Sequence, residues 1–128
     1  MKILFIDEDH SFASVYAHSL HQTGDYEVTT VPDSRTALTY LNEHPDNVDA
    51  IITEVLLPGR NGLKLIQDIR LQERWLETPV YILTTLEAAD IGLAESLRVA
   101  LGVKAYLIKQ RTSPSALADI LKLVEARG

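Results

Sequence analysis

The chain has 128 residues, no cysteine, 46% hydrophobic and 23% charged residues, and a formal net charge of -6. This length suits a single domain over 1–128 with a core that needs no staple, and the missing thiols exclude disulfides, thiol catalysis and thiolate metal sites while suiting a reducing cytoplasm. The acidic balance argues against a direct grip on nucleic acid, charges from Lys2 onward leave no secretory signal, and no apolar run is long enough to span a bilayer.

In chain order, "KILFI" (2–6) reads as a first strand ending at Asp7. "SFASVYAHSLHQ" (11–22) places Phe12, Val15, Tyr16, Ser19 and Leu20 at helical spacing, with Asp9 where an N-cap belongs and Gly24 as a stop. "YEVTTV" (26–31) alternates as a half-exposed strand, and Asp33 caps a helix over 33–44 with Ala37, Leu38 and Leu41 on one face. "DAIIT" (49–53) is a buried-type strand, followed by a helix over 62–75 carrying Leu63, Ile66 and Ile69. Trp75 ends that stretch and is expected to lid the core edge. "PVYILTT" (79–85) is a further buried-type strand, "AADIGLAESLRVAL" (88–101) a helix, and "KAYLI" (104–108) a fifth strand. The last helix, 113–127, opens with Ser113 at the cap and Pro114 in the first turn. The four histidines, His10, His18, His21 and His44, read as solvated positions and not as a metal group.

Five strands alternating with five helices are the pattern of a parallel sheet covered on both faces. Right-handed crossovers make that sheet doubly wound, and its ligands bind beyond the carboxyl ends of the strands. Those ends carry Asp7-Glu8-Asp9 after the first strand, Glu54 after the third, Thr84-Thr85 after the fourth and Lys109 after the fifth. Clustered carboxylates repel and call for a cation, which Lys109 or a hard divalent ion can supply.

These positions resemble the receiver domain of bacterial two-component response regulators, over roughly residues 2 to 127. The family's acidic pair after the first strand is matched by Asp7 and Glu8, its hydroxyl after the fourth strand by Thr84, its lysine by Lys109, and its aromatic rotamer switch by Tyr106. The loop "LLPGRNG" is similar to the one that follows the family's phosphorylated aspartate. The resemblance implies a flavodoxin-like sheet of order 2-1-3-4-5 and signalling by protein contact rather than enzymatic turnover. It implies a histidine kinase or an output domain or protein as partner. A homodimer through the face of residues 88–101, 104–108 and 113–127 is a further expectation.

The sequence departs from the family at three places. Glu54 stands where the family has its phosphoacceptor aspartate, Gln110 where a proline usually follows the lysine, and Asn61 where an acid is common. One extra methylene displaces the carboxylate by roughly 1.5 Å, and a misplacement of that order costs in-line attack about 10²-fold. Glu54 is therefore expected not to accept a phosphoryl group, and either to mimic the phosphorylated state in part or to mark an inactive site. Without proline, the Lys109–Gln110 bond is expected to be trans, since a cis bond there costs about 2.5–4 kcal/mol. No cofactor is required by this reading. Asp7, Glu8 and Glu54 are candidates for a weak Mg²⁺ site. Two other readings remain at this point: phosphorylation on another acid such as Asp7, and a small haloacid-dehalogenase-like phosphatase built on Asp7-x-Asp9. The latter lacks a later acidic pair and room for a cap.

Overall fold

A computed structural model describes residues 1–126; Arg127 and Gly128, the end of the expected last helix and of the expected domain, lie outside the described residues. The strands are β1 (Lys2–Ile6), β2 (Glu27–Val31), β3 (Ala50–Thr53), β4 (Val80–Thr84) and β5 (Val103–Ile108). The helices are α1 (His10–Gln22), α2 (Ser34–Glu43), α3 (Gly62–Arg70), α4 (Glu95–Ala100) and α5 (Pro114–Ala126). All strand pairings are parallel and the order is β2-β1-β3-β4-β5, so the expected flavodoxin-like topology is the one observed.

The three central strands are buried on both faces, which explains their unbroken apolar runs. Leu4, Ile6, Ile51, Val80 and Ile82 pack with residues of α2 and α3 on one side of the sheet. Ile3, Phe5, Ile52, Tyr81 and Leu83 pack with Ala13, Tyr16 and Leu20 of α1 and Leu117 and Leu121 of α5 on the other. Fully burying one such aliphatic side chain contributes about 1.5–3 kcal/mol. Asp9, Asp33 and Asn61 cap α1, α2 and α3 by accepting from the backbone N–H three residues on.

Two helices differ from expectation. The helix expected over 62–75 ends at Arg70; the chain then extends at Gln72 and makes a single 3₁₀ turn over Glu73–Trp75. That break turns the Trp75 ring into the core, where it is buried. The Arg70 guanidinium staples the break, donating to the carbonyls of Trp75, Leu101 and Gly102. The stretch 88–101 is not one helix either. A 3₁₀ turn over Ala88–Ile91 stops at Gly92, which takes a left-handed φ of 70°, and Leu93 drops into the core before α4 begins. A left-handed residue cannot continue an α-helix, and glycine adopts that conformation at no steric cost.

Gly62, at the start of α3, is required by close approach. A Cβ there would collide with the carbonyl oxygen of Glu54 and stand 3.0 Å from Val55 Cα. Its N–H donates to Val55 at 2.8 Å, so the loop after β3 folds back directly onto the strand end. Gly62→Ala should therefore destabilise the protein by about 1–3 kcal/mol and perturb the amide resonances of Glu54 and Val55. Urea unfolding with two-dimensional NMR checks this; unchanged stability would contradict the contact.

Candidate functional site

The register sets Ile6 beside Thr53, Thr53 beside Ile82 and Thr84 beside Ile108. The next residues along the row are Asp7, Glu54 and Lys109, and with Thr84 they form one cluster at the carboxyl edge of the sheet. The backbone continues the ladder there, with Asp7 N–H donating to Val31 and Glu54 N–H to Ile6.

Glu54 is 4% exposed, and its carboxylate is fully engaged. Oε1 accepts from the N–H of Val55 at 2.7 Å, from that of Leu56 at 3.2 Å, and from the Thr84 hydroxyl. Oε2 lies 2.8 Å from Lys109 Nζ. The extra methylene lets the carboxylate fold back over its own following peptide. Asp7, equally buried, accepts the Asp9 N–H at Oδ1, 2.9 Å away. Its Oδ2 has no oriented hydrogen-bond donor among the described residues and is held by the Lys109 charge at 2.7 Å. Two carboxylates thus share one ammonium away from water. Burial alone would lower the lysine pKa, but the two carboxylates override it and hold Lys109 above its ordinary value.

The ammonium also sits 4.3 Å from the centre of the Phe12 ring. Phe12 stacks on Tyr16, with centroids 4.4 Å apart, and the Tyr16 hydroxyl donates to the carbonyl of Thr112. Sequence reasoning placed Phe12 and Tyr16 on α1 only as core positions; no local pattern announced their reach to a lysine about a hundred residues away. Tyr106, on β5, donates its hydroxyl to the Leu86 carbonyl at 2.8 Å. Burial, with the charges of Glu54, Glu87 and Asp90 adding, pushes its pKa up to about 12. Arg111 pairs with Glu87 of the same loop at 2.8 Å on the surface, a contact that sequence reasoning also missed. The Lys109–Gln110 peptide is trans, as expected, within a 3₁₀ turn over Lys109–Arg111.

Glu8 stays on the surface, apart from this cluster. Among the described residues no three of His, Asp and Glu form a group able to hold a metal. A Mg²⁺ ion needs several free oxygens, whereas both Glu54 oxygens already have donors and Asp7 faces Lys109. The residues in this arrangement do not fit the ion, because the ammonium supplies the positive charge in its place. Of the histidines, His18 and His21 are exposed, and His44 stacks on Tyr40.

Residues 3–122 match the family model of the response regulator receiver domain. The chain is 30% identical over 125 residues to the chemotaxis protein CheY of Pseudomonas aeruginosa, covering 98% of this chain and 97% of the relative. It is 27% identical to CheY-3 of Vibrio cholerae, covering 98% and 92%. Among solved structures, the chemotaxis response regulator CheY4 of Vibrio cholerae superposes with a TM-score of 0.81 at 29% identity, covering 96% of this chain and 97% of that one. The chain therefore belongs to the response regulator receiver-domain family. Receiver domains are signal-transduction modules that interact with histidine kinases and effector partners. No helix among the described residues is long and apolar enough to cross a membrane.

Lys109→Met leaves two buried carboxylates facing each other and should cost about 3 kcal/mol or more. Glu54→Gln leaves a neutral Asp7–Lys109 pair and should cost less. The double-mutant cycle should return a coupling above the roughly 0–1 kcal/mol of a surface pair; a coupling of zero in urea unfolding would mean the contact carries no energy.

Alkaline pH tests the same groups. Tyr81 is pushed up to about 12 by burial, with Glu125 adding, Tyr106 equally, and Lys109 upward. Each binds its proton more tightly folded than unfolded. Its contribution is complete below its ordinary value near 10 and is lost as pH rises through the folded value. Stability should fall from about pH 10 upward, with tyrosinate absorbance rising late; a constant unfolding midpoint through that window would contradict the burial described.

Proposed function

We propose that this receiver domain signals by protein contact without phosphorylation at the usual position, its switch held by the Glu54 carboxylate itself. One observation carries this reading. Glu54 engages Thr84, Lys109 and two backbone N–H groups, the donors that an added phosphoryl group would need. A carboxylate brings one negative charge where a phosphoryl group brings about 1.5 to 2, so the mimicry is partial. The Tyr106 hydroxyl, tied to Leu86, is consistent with a switch resting in one state.

The surface that would report this state lies on α4, β5 and α5. Val99 is 67% exposed and Leu123 53% exposed there. A protein partner, an output domain or a second copy of the chain docks on this face, in the cytoplasm. Asp7 as an alternative phosphoacceptor gains no support, since its oxygens are committed to Asp9 and Lys109. The phosphatase reading gains none either: Asp9 is occupied as the cap of α1.

Incubation with acetyl phosphate and Mg²⁺ should leave the intact mass unchanged, while Glu54→Asp should restore a labile adduct of one phosphoryl group. A stoichiometric adduct on Glu54 in the parent would overturn the reading, and one mapped to Asp7 would move the activity to that acid.

A further inference from the structure

We propose that Phe12 and Tyr16, on one face of α1, are positioning residues that hold the Lys109 ammonium between Asp7 and Glu54. This rests on reading Lys109 as the counter-charge of Glu54. β5 is an edge strand of the sheet, and Lys109 follows it in a short 3₁₀ turn. A lysine stem is flexible and loses considerable rotamer freedom when held in one geometry. Something must therefore fix both its root and its tip.

α1 reaches both ends. At the tip, the Phe12 ring presents itself 4.3 Å from Nζ, within the range where a ring face attracts a cation. That ring is braced in turn by Tyr16, at 29° and 4.4 Å, and Tyr16 packs on Phe5 of β1 at 6.3 Å. At the root, the Tyr16 hydroxyl donates to the Thr112 carbonyl, and the Thr112 N–H returns to the Lys109 carbonyl at 3.4 Å. A proline at 110 would restrict the backbone of this turn; Gln110 does not, and the Tyr16 hydroxyl anchors the turn from outside. The pKa of Tyr16 reflects both neighbours: burial pushes it up and Lys109 pulls it back.

A core residue on α1 would need neither a ring facing an ammonium nor a hydroxyl spent on a loop. The variants Phe12→Leu and Tyr16→Phe separate the two roles, because each keeps apolar bulk. Two readouts are needed: the ring-current shift of the Lys109 side-chain resonances, and the Glu54–Lys109 coupling measured again in each background. Phe12→Leu should abolish the ring shift and reduce the coupling, and Phe12→Tyr should restore both. Tyr16→Phe should reduce the coupling and broaden the Lys109–Thr112 amides. Loss of global stability with shift and coupling unchanged would make both residues plain core and overturn the proposal. A zero coupling in the parent would instead sink the reading of Glu54. In that case Tyr16→Phe, which keeps the Phe12 ring, decides positioning: a changed Lys109 ring shift supports the proposal, and an unchanged one overturns it.

Discussion

Everything at the carboxyl edge of the sheet depends on one ammonium shared by two buried carboxylates. Lys109 stands 2.7 Å from Asp7 and 2.8 Å from Glu54, with little water to soften the repulsion between them. Charges of this kind are stable inside a protein only when paired and hydrogen-bonded. Strand order makes the pairing available. β1 and β3 are neighbours, which forces Asp7 and Glu54 together, and β4 separates them from β5, so the lysine must reach over Thr84. A lysine stem is long enough for that reach, and Thr84 uses the gap to donate to Glu54.

The glutamate changes how the charge is distributed. Its carboxylate folds back over the peptides of Val55 and Leu56 and is neutralised by fixed dipoles as well as by Lys109. The loop can close over it because Gly62 has no side chain at the point of nearest approach. The same compactness leaves both Glu54 oxygens occupied by donors and a positive charge that the chain itself supplies.

Periodicity made most of this fold legible. The buried strands are continuous apolar runs, Asp9, Asp33 and Ser113 cap helices where a cap was expected, and strand alternation with helices dictated a parallel sheet. The chemistry at the strand ends was legible for the same reason, since each polar residue interrupts an apolar run. What pattern could not show were features decided by tertiary competition. Trp75 breaks the third helix because its ring finds the core, and Arg70 secures that break with bonds to carbonyls 31 and 32 residues away. Gly92 was visible as a glycine, but helical spacing on both sides hid the left-handed turn. Glu8 looked like half of an acidic pair, yet an adjacent residue leaving a strand takes the opposite side, and it remains in solvent. Phe12 and Arg111 reach partners that only the folded topology brings near.

The loop after β4 connects the Glu54 cluster to β5. Thr84, bound to Glu54, is also approached by the Leu86 N–H at 3.4 Å. The Leu86 carbonyl takes the Tyr106 hydroxyl, and Glu87 takes Arg111. Two of these contacts tie the beginning of this loop to Tyr106 of β5 and to Arg111 in the turn after it, on either side of Lys109. The exposed Arg111 pair is worth little alone. The Tyr106 bond is partly buried, and breaking it would leave a hydroxyl without its acceptor. Thr84, Leu86 and Tyr106 are thus linked in series by hydrogen bonds that begin at the Glu54 carboxylate. The short α4 follows within ten residues, begins without a side-chain cap and is poorly anchored by its own length. Its other anchors are Leu97 and Leu101 against the core and Arg98, which donates to the Val103 carbonyl of β5 at 3.4 Å.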